Sequence, residues 1–253
     1  MSESADLGCY ADDIWIWYEI TAENEDSIID AINEDLANLV LWGEDNKTTF
    51  KPDKTFAVFY SNRGSRRFEK ARLADIVMQG YQVEFKNAIK ITGFMFDDKL
   101  TWAPTIDMLA SKARQRLGAL NRLKPFLDSE NLKTMYMMFV RSIMEYGGVL
   151  FMGAADTHLV KLDKIQRAAE KIGRFKCESL KLRREAAAVS LVLKILNGDC
   201  RQGLDEMKFL ITDTPSSPAF SRHQRSQTRH PAQASPSIEI PTGLILLQNP
   251  ILP

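Results

Sequence analysis

Two adjacent aspartates stand close to the start of the chain, directly before an apolar run that favours a β-strand. Asp12 and Asp13 follow Tyr10, and residues 14–20 are almost all β-branched or aromatic. Strands are rich in such residues, and aspartate is common in turns because its carboxylate accepts hydrogen bonds from nearby backbone. Since successive side chains of a strand point to opposite faces, both aspartates can serve one site only where the chain turns. The pattern therefore predicts a β-hairpin with an acidic pair at its tip.

This acidic pair has the chemistry of a site for divalent cations. Mg²⁺ takes oxygen ligands in octahedral geometry, with one or two carboxylates completed by phosphates and water. Two such ions about 3.5–4 Å apart can stabilise both the attacking and the leaving oxygen of a displacement at phosphorus. Taken in isolation, an Asp-Asp pair is more often an ordinary surface turn than a metal site. The rest of the chain has to decide between these two interpretations.

Length and composition restrict the class of protein. The 253 residues, 45% of them hydrophobic, are enough for one large domain or two small ones. No apolar run reaches about 18 residues, so we expect no membrane span, and the acidic N-terminus does not have the pattern of a signal peptide. The three cysteines, Cys9, Cys177 and Cys200, are widely spaced, which is typical of free thiols in the nucleus or cytoplasm. The histidines do not show zinc-binding spacing.

Three regions follow one another along the chain. Residues 1–103 mix short strand patterns with one or two helices, residues 104–210 are helical throughout, and residues 211–253 contain seven of the ten prolines. This order predicts an α+β unit followed by an all-α unit and a disordered tail. Apolar spacing predicts helices at 26–43, 66–78, 104–123, 129–146, 156–174 and 179–197, and strands at 48–51, 55–61, 81–86 and 89–96.

Charge is distributed unevenly although the formal net charge is zero. Residues 1–50 contain thirteen acidic residues and one basic residue, Lys47, whereas residues 104–175 contain twelve basic and seven acidic residues. A basic helical region is compatible with nucleic-acid contact, and it is equally compatible with an ordinary solvated face.

Five further blocks follow the acidic pair in a fixed order. They are residues 51–61 (KPDKTFAVFYS), 90–102 (KITGFMFDDKLTW), 140–148 (VRSIMEYGG), 162–172 (LDKIQRAAEKI) and 183–185 (RRE). Together with residues 10–13 (YADD), they resemble the C-terminal half of a reverse transcriptase from a non-LTR retrotransposon of the LINE-type, Jockey-like group. The resemblance covers about residues 7–207, and several ordered blocks make a chance match improbable.

The resemblance implies a partial polymerase palm at 1–103, a helical thumb and connection at 104–210, and a role for particular residues. Asp12 and Asp13 correspond to the metal ligands of motif C, which would hold Mg²⁺ or Mn²⁺. Lys54 corresponds to the motif D lysine, a proton donor to the leaving pyrophosphate. Gly93 and Phe94 fall in the primer-grip hairpin of motif E, where the alternative is an ordinary turn glycine.

The expected partners are an RNA template and a DNA primer. In the family the first thumb helix follows the backbone of the template–primer duplex, and contacts to phosphate are salt-sensitive and independent of base sequence. Lys112 and Arg116 lie one helical turn apart on one face. The basic residues expected at this interface are Lys112, Arg114, Arg116, Arg122 and Lys124.

The chain also departs from the family pattern. Only nine residues precede Tyr10, so the resemblance implies that motif A with its aspartate, motif B and the fingers are absent. The palm sheet is then expected to lack central strands and to leave an unpaired edge. Thr92 and Ser142 stand where the family has leucine and proline. We therefore expect a truncated, inactive polymerase, and the alternatives are a template–primer binding fragment without chemistry or a structural remnant without function.

Overall fold

A computed structural model describes residues 5–10, 13–21, 23–24, 26–60, 75–197 and 243–248. They form two compact units. The first contains the described residues up to Leu109, residues 154–158 and Gly243–Gln248, and the second contains residues 110–153 and 159–197. The expectation of a mixed α and β protein is confirmed at this level.

The first unit is built on a five-stranded sheet. Its strands, in chain order, are β1 (Ala5–Tyr10), β2 (Asp13–Glu19), β3 (Phe56–Tyr60), a short strand at Glu84–Phe85 and a strand at Gly243–Gln248. The spatial order is β1, β2, Gly243–Gln248, β3, Glu84–Phe85. β1 and β2 form an antiparallel hairpin in which Tyr10 pairs with Asp13, so the hairpin predicted around the acidic pair is present.

The strand in the middle of this sheet comes from the predicted tail. Gly243–Gln248 pairs antiparallel with β2 on one side and with β3 on the other. The prediction of disorder is therefore wrong for these six residues. Residues 244–247 form an apolar segment that is too short to fold alone. Between two strands, however, their backbone groups find hydrogen-bond partners on both sides. The other residues of the predicted tail lie outside the described residues.

One face of the sheet is covered by a helix. Along β2, Ile14, Ile16 and Tyr18 are buried and alternate with less buried side chains, as expected for a strand with one face on a core. Helix α1 (Ile28–Asp45) contributes buried apolar residues to the same core. The buried Asp35 of α1 accepts a hydrogen bond of 3.2 Å from the Tyr18 hydroxyl, which gives this carboxylate a partner inside the core.

The remaining strands of the first unit form two small hairpins. The strands Val77–Met78 and Tyr81–Gln82 make the first, and β4 (Ala88–Ile91) and β5 (Phe94–Asp97) make the second. The sequence placed a turn at residues 86–88, but the chain turns at Thr92-Gly93, because two residues with positive φ close a tight hairpin. Of the helix predicted at 66–78, residues 66–74 lie outside the described residues, and Val77–Met78 is a strand.

The helices predicted beyond residue 103 are confirmed to within about two residues. They are α2 (Ala103–Leu123), α3 (Ser129–Met135) continued by a π-helical segment (Tyr136–Arg141) and α4 (Ser142–Glu145), α5 (Asp156–Gly173) and α6 (Leu180–Leu196). Ser179 caps α6, since its hydroxyl accepts from the Leu182 amide. Asp128 caps α3 by accepting from the Asn131 amide at 2.8 Å, and its negative charge suits a helix N-terminus.

None of the helices among the described residues is long and apolar enough to cross a lipid bilayer.

Candidate functional site

The first unit contains a cleft of about 540 Å³ beside the acidic hairpin. Asp13 lies on its wall at the first position of β2, and Phe56 contributes the first position of β3. The other wall is the second hairpin, through β4, its turn and the start of β5. The residues that line the cleft are Asp13, Phe56, Lys86, Ala88, Ile89, Lys90, Thr92, Gly93 and Met95.

The turn that closes this hairpin has an unusual backbone conformation. Thr92 has φ of 46° and Gly93 has φ of 95°, while Ile91 pairs with Phe94 across the turn. Positive φ at both central residues is the type I′ arrangement, which suits the right-handed twist of the two strands. Glycine adopts it freely, whereas a β-branched residue there is strained. Backbone strain of this kind is found most often at functional sites, and here it faces the cleft.

Two lysines give the cleft positive charge next to the carboxylate. The Lys86 ammonium lies 3.0 Å from the centroid of the Phe56 ring and 3.7 Å from the Glu84 carboxylate. Lys90 is exposed on β4 and lines the same cleft. The cleft lining therefore combines one carboxylate, two ammonium groups and apolar side chains. This set suits a ligand that carries phosphate and is accompanied by a cation.

The structure brings together some of the residues that the sequence singled out. Asp13 and Gly93 line the same cleft. Asp12 lies outside the described residues. Phe94 is only 6% exposed and belongs to the core rather than to the cleft surface. Lys54 is exposed at the end of a 3₁₀ turn, Pro52–Lys54, and is not part of the cleft wall.

The predicted basic surface lies on and just after α2. Lys112, Arg114, Arg116, Arg122 and Lys124 are all exposed. The buried residues Leu109, Ala113 and Leu120 share the opposite part of the helix surface. Among the described residues, the ion pairs of the structure do not include any of the five basic side chains. Their charge is therefore available to an anionic partner.

Sequence reasoning missed two features, one in the cleft and one in the helical unit. Lys86 and Lys90 were not singled out, because a lysine on a short strand carries no distinctive signal until the fold shows which wall it joins. The second feature is an ion cluster in the helical unit, where Glu145 accepts from the Arg183 guanidinium through both oxygens, with Arg183 Nη2 at 3.0 Å from Oε2. Arg141 lies 3.5 Å from the same carboxylate. The hydrogen bond with Glu145 raises the pKa of Arg183.

This ion cluster joins two of the sequence blocks. Residues 140–148 supply Arg141 and Glu145, and residues 183–185 supply Arg183. Beside it, an added Cβ at Gly148 would lie 3.1 Å from Cγ of Arg184, so the glycine allows α6 to approach closely. The arginine and glycine of these blocks thus have a structural role in the helical unit.

Within the part of the chain that the structure describes, no group of three His, Cys, Asp or Glu side chains is positioned to hold a metal ion. Asp13 is the described member of the acidic pair, and the cleft wall otherwise consists of two lysines, Thr92 and apolar residues. Asp13 is therefore the one carboxylate among the described residues of the cleft wall that could ligate a cation.

Comparisons of the chain with protein-family models, with curated proteins and with solved structures found no match.

Proposed function

We propose that this chain is the palm-to-thumb part of an RNA-directed DNA polymerase of the non-LTR retrotransposon type. One observation carries the proposal. Asp13, from the block that resembles the metal-binding motif, and Gly93, from the block that resembles the primer grip, line one cleft although eighty positions separate them in the sequence. A primer end held at the second hairpin would then lie beside the acidic pair.

The chemistry of the intact family gives each group a task. The primer 3′-hydroxyl attacks the α-phosphate of a nucleotide, and two metal ions stabilise the attacking and leaving oxygens. Asp12 and Asp13 would hold Mg²⁺ or Mn²⁺ in this chain. Lys86 and Lys90 would neutralise phosphates that enter the cleft, since an ammonium group acts as a point charge toward phosphate. Lys54 stands away from the cleft wall, so its proposed role as a proton donor has no geometric support here.

We propose that the chain on its own binds template–primer duplex and does not extend the primer. Asp12 and Asp13 alone give a hard cation an incomplete ligand set, and the resulting affinity is expected to be in the millimolar range. Binding to nucleic acid does not depend on that site, because exposed lysines and arginines contact phosphates without any metal. The basic residues of α2 supply this second contribution.

A binding titration tests the proposal. A fluorescently labelled RNA–DNA hybrid is titrated with the chain at 50, 100 and 200 mM salt. We expect the logarithm of the binding constant to fall linearly with the logarithm of salt concentration. The double variant Lys112→Gln/Arg116→Gln should reduce the magnitude of that slope by about 2. The matched control is Lys164→Gln/Lys171→Gln, which removes two exposed charges from α5 and should leave the slope nearly unchanged.

Two results would reject the binding proposal: no binding at 50 mM salt by a folded chain, or equal losses in the test and control variants. A primer-extension assay with 5 mM Mg²⁺ or Mn²⁺ tests the absence of chemistry. Extension that disappears in Asp13→Asn would show that this chain is a complete enzyme by itself.

A further inference from the structure

Strands β2 and β3 run parallel to each other but are not neighbours in the sheet. Both pair antiparallel with Gly243–Gln248, which lies between them. Helix α1 connects β2 to β3, so these elements form a βαβ unit that is split by one strand position. β2, α1 and β3 can therefore form together before another segment supplies the strand that lies between β2 and β3.

The burial of the two neighbouring strands determines which kind of segment can occupy the position between them. Ala57 and Val58 are adjacent in β3 and both are completely buried, so β3 is covered on both faces. Ile16 and Tyr18 of β2 are buried as well. A strand that is covered on both faces has a continuous apolar sequence rather than one that alternates between apolar and polar residues. Residues 244–247, Leu-Ile-Leu-Leu, are such a run.

The segment that fills the position has a long connection to the rest of the chain. Forty-five residues separate Asn197 from Gly243, which allows a span of up to about 150 Å when extended. The segment of one molecule can therefore reach its own sheet or that of a second molecule. The main-chain pairing is the same in both cases, so exchange loses no contact.

We infer that the gap between β2 and β3 is an acceptor site for an extended apolar strand, and that its exchangeable occupant is Gly243–Gln248 of a second copy of this chain. Within one molecule the tether gives this segment an effective concentration in the millimolar range. The unexchanged molecule therefore predominates at micromolar concentration. Refolding at high protein concentration populates the exchanged dimer.

Disulfide trapping between two copies tests the inference. Phe59 pairs with Leu244, so one copy carries Phe59→Cys and the other Leu244→Cys, with the three native cysteines changed to serine in both. The copies are mixed, unfolded, refolded together at high concentration and oxidised. We expect a disulfide-linked dimer of one copy of each kind. In the control, Gln248→Cys replaces Leu244→Cys. It places the second cysteine four residues away, about 13 Å along the strand, which is too far for a disulfide.

A second experiment measures whether the acceptor site binds a separate peptide. The full chain with Leu246→Pro should release its own segment, because proline cannot donate to the ladder of a central strand. A fluorescent peptide of residues 241–250 should bind this variant saturably, and the same peptide with Leu246→Pro should not. The unaltered chain should bind the peptide at least about 100-fold more weakly because the tethered segment competes.

The two experiments decide the inference together. Dimer in both cysteine pairs, or in neither, overturns it, and so does equal binding of both peptides to a folded Leu246→Pro chain. If circular dichroism shows that the Leu246→Pro chain is unfolded, the trapping experiment decides alone, since its variants retain the central strand.

Discussion

The two units of this protein depend on contacts of very different range along the chain. In the helical unit, α3, the π-helical segment and α4 follow one another without interruption, and the ion cluster joins Glu145 to a residue 38 positions later. In the sheet unit, Leu246 pairs with Ile16 and Ala57, about 190–230 positions earlier. Helices form from their own neighbourhood, whereas this sheet cannot complete its centre until the two ends of the chain meet.

The largest expected effect of this difference is on folding rate. All four tryptophans, Trp15, Trp17, Trp42 and Trp102, belong to the sheet unit, so their fluorescence reports that unit alone. In stopped-flow refolding we expect the fluorescence phase to be at least about tenfold slower than the recovery of helical circular dichroism, because closing a long loop precedes the central pairing.

An intramolecular disulfide between Phe59→Cys and Leu244→Cys is the control for this rate. It closes the loop in the unfolded chain and should accelerate the fluorescence phase, while the helical phase stays the same. Identical rates for both probes in the unlinked chain would contradict the comparison between the units.

A second prediction compares two tyrosines of the sheet, both completely buried. The Tyr18 hydroxyl donates to Asp35, whereas the Tyr60 hydroxyl has no hydrogen-bond partner among the described residues. We expect Tyr18→Phe to lower the free energy of unfolding by about 1–3 kcal/mol and Tyr60→Phe to be neutral or slightly stabilising. Urea titration followed by fluorescence measures both. Equal losses would show that packing, not hydrogen bonding, distinguishes the two positions.

The burial of Tyr18 also affects the response of stability to alkaline pH. Burial, together with the nearby Asp35 carboxylate, raises the pKa of Tyr18 above its usual value of 10.0. The unfolded chain loses this proton above about pH 10 while the folded chain keeps it. The contribution of Tyr18 to the free energy of unfolding is therefore fully present below about pH 10 and is lost as the pH rises further. The decline should be shallower in Tyr18→Phe by about 1.4 kcal/mol per pH unit.

A smaller effect is expected in the helical unit at the ion cluster. Glu145→Gln leaves Arg141 and Arg183 close together without the carboxylate between them, and we expect a loss of about 1–2 kcal/mol. Glu178→Gln is the matched control, because its carboxylate is 66% exposed and lies 3.7 Å from Arg183. It should cost less than about 0.5 kcal/mol. Urea unfolding followed by circular dichroism measures both, and similar losses would indicate that the cluster is only a surface charge effect.

The smallest expected change is a gain at the cleft. Thr92→Asn should stabilise the sheet unit by about 0.5–1 kcal/mol, because asparagine tolerates positive φ better than a β-branched residue. Thr92→Val keeps the branched side chain and serves as the control, without an expected gain. A loss of stability in the asparagine variant, measured by urea titration, would show that contacts of the threonine side chain outweigh its backbone strain.

Much of the architecture was predictable wherever a pattern repeats locally. The apolar spacing of residues 156–174 and 179–197 predicted α5 and α6 nearly to the residue, because each helix buries one face of its own. The hairpin of β1 and β2 was predictable because a turn-forming Asp-Asp pair directly precedes a run of β-branched and aromatic residues. The turn at Thr92-Gly93 was misplaced, since threonine is an uncommon residue for a type I′ turn and lysine-asparagine at 86–87 was the stronger local turn signal.

The candidate site was predictable only in part. Asp13 and Gly93 were singled out by their sequence blocks, and the fold brings them to one cleft. Lys86 and Lys90 were missed because their contribution depends on which strands become neighbours. Phe94, the other residue expected at the primer grip, is buried, and the direction of its side chain follows in the same way from the register of the hairpin.

The amino-acid sequence alone determined the helices beyond residue 103 and the acidic hairpin, because these follow from residue patterns over a few turns or strand positions. Tertiary structure alone decided the order of the sheet. Residues 244–247 contain no local signal that separates a disordered apolar patch from a central strand. The backbone N–H and C=O groups of β2 and β3, which are distant in sequence, offer hydrogen-bond partners to residues 244–247. Only these partners make the strand the more stable state of that segment.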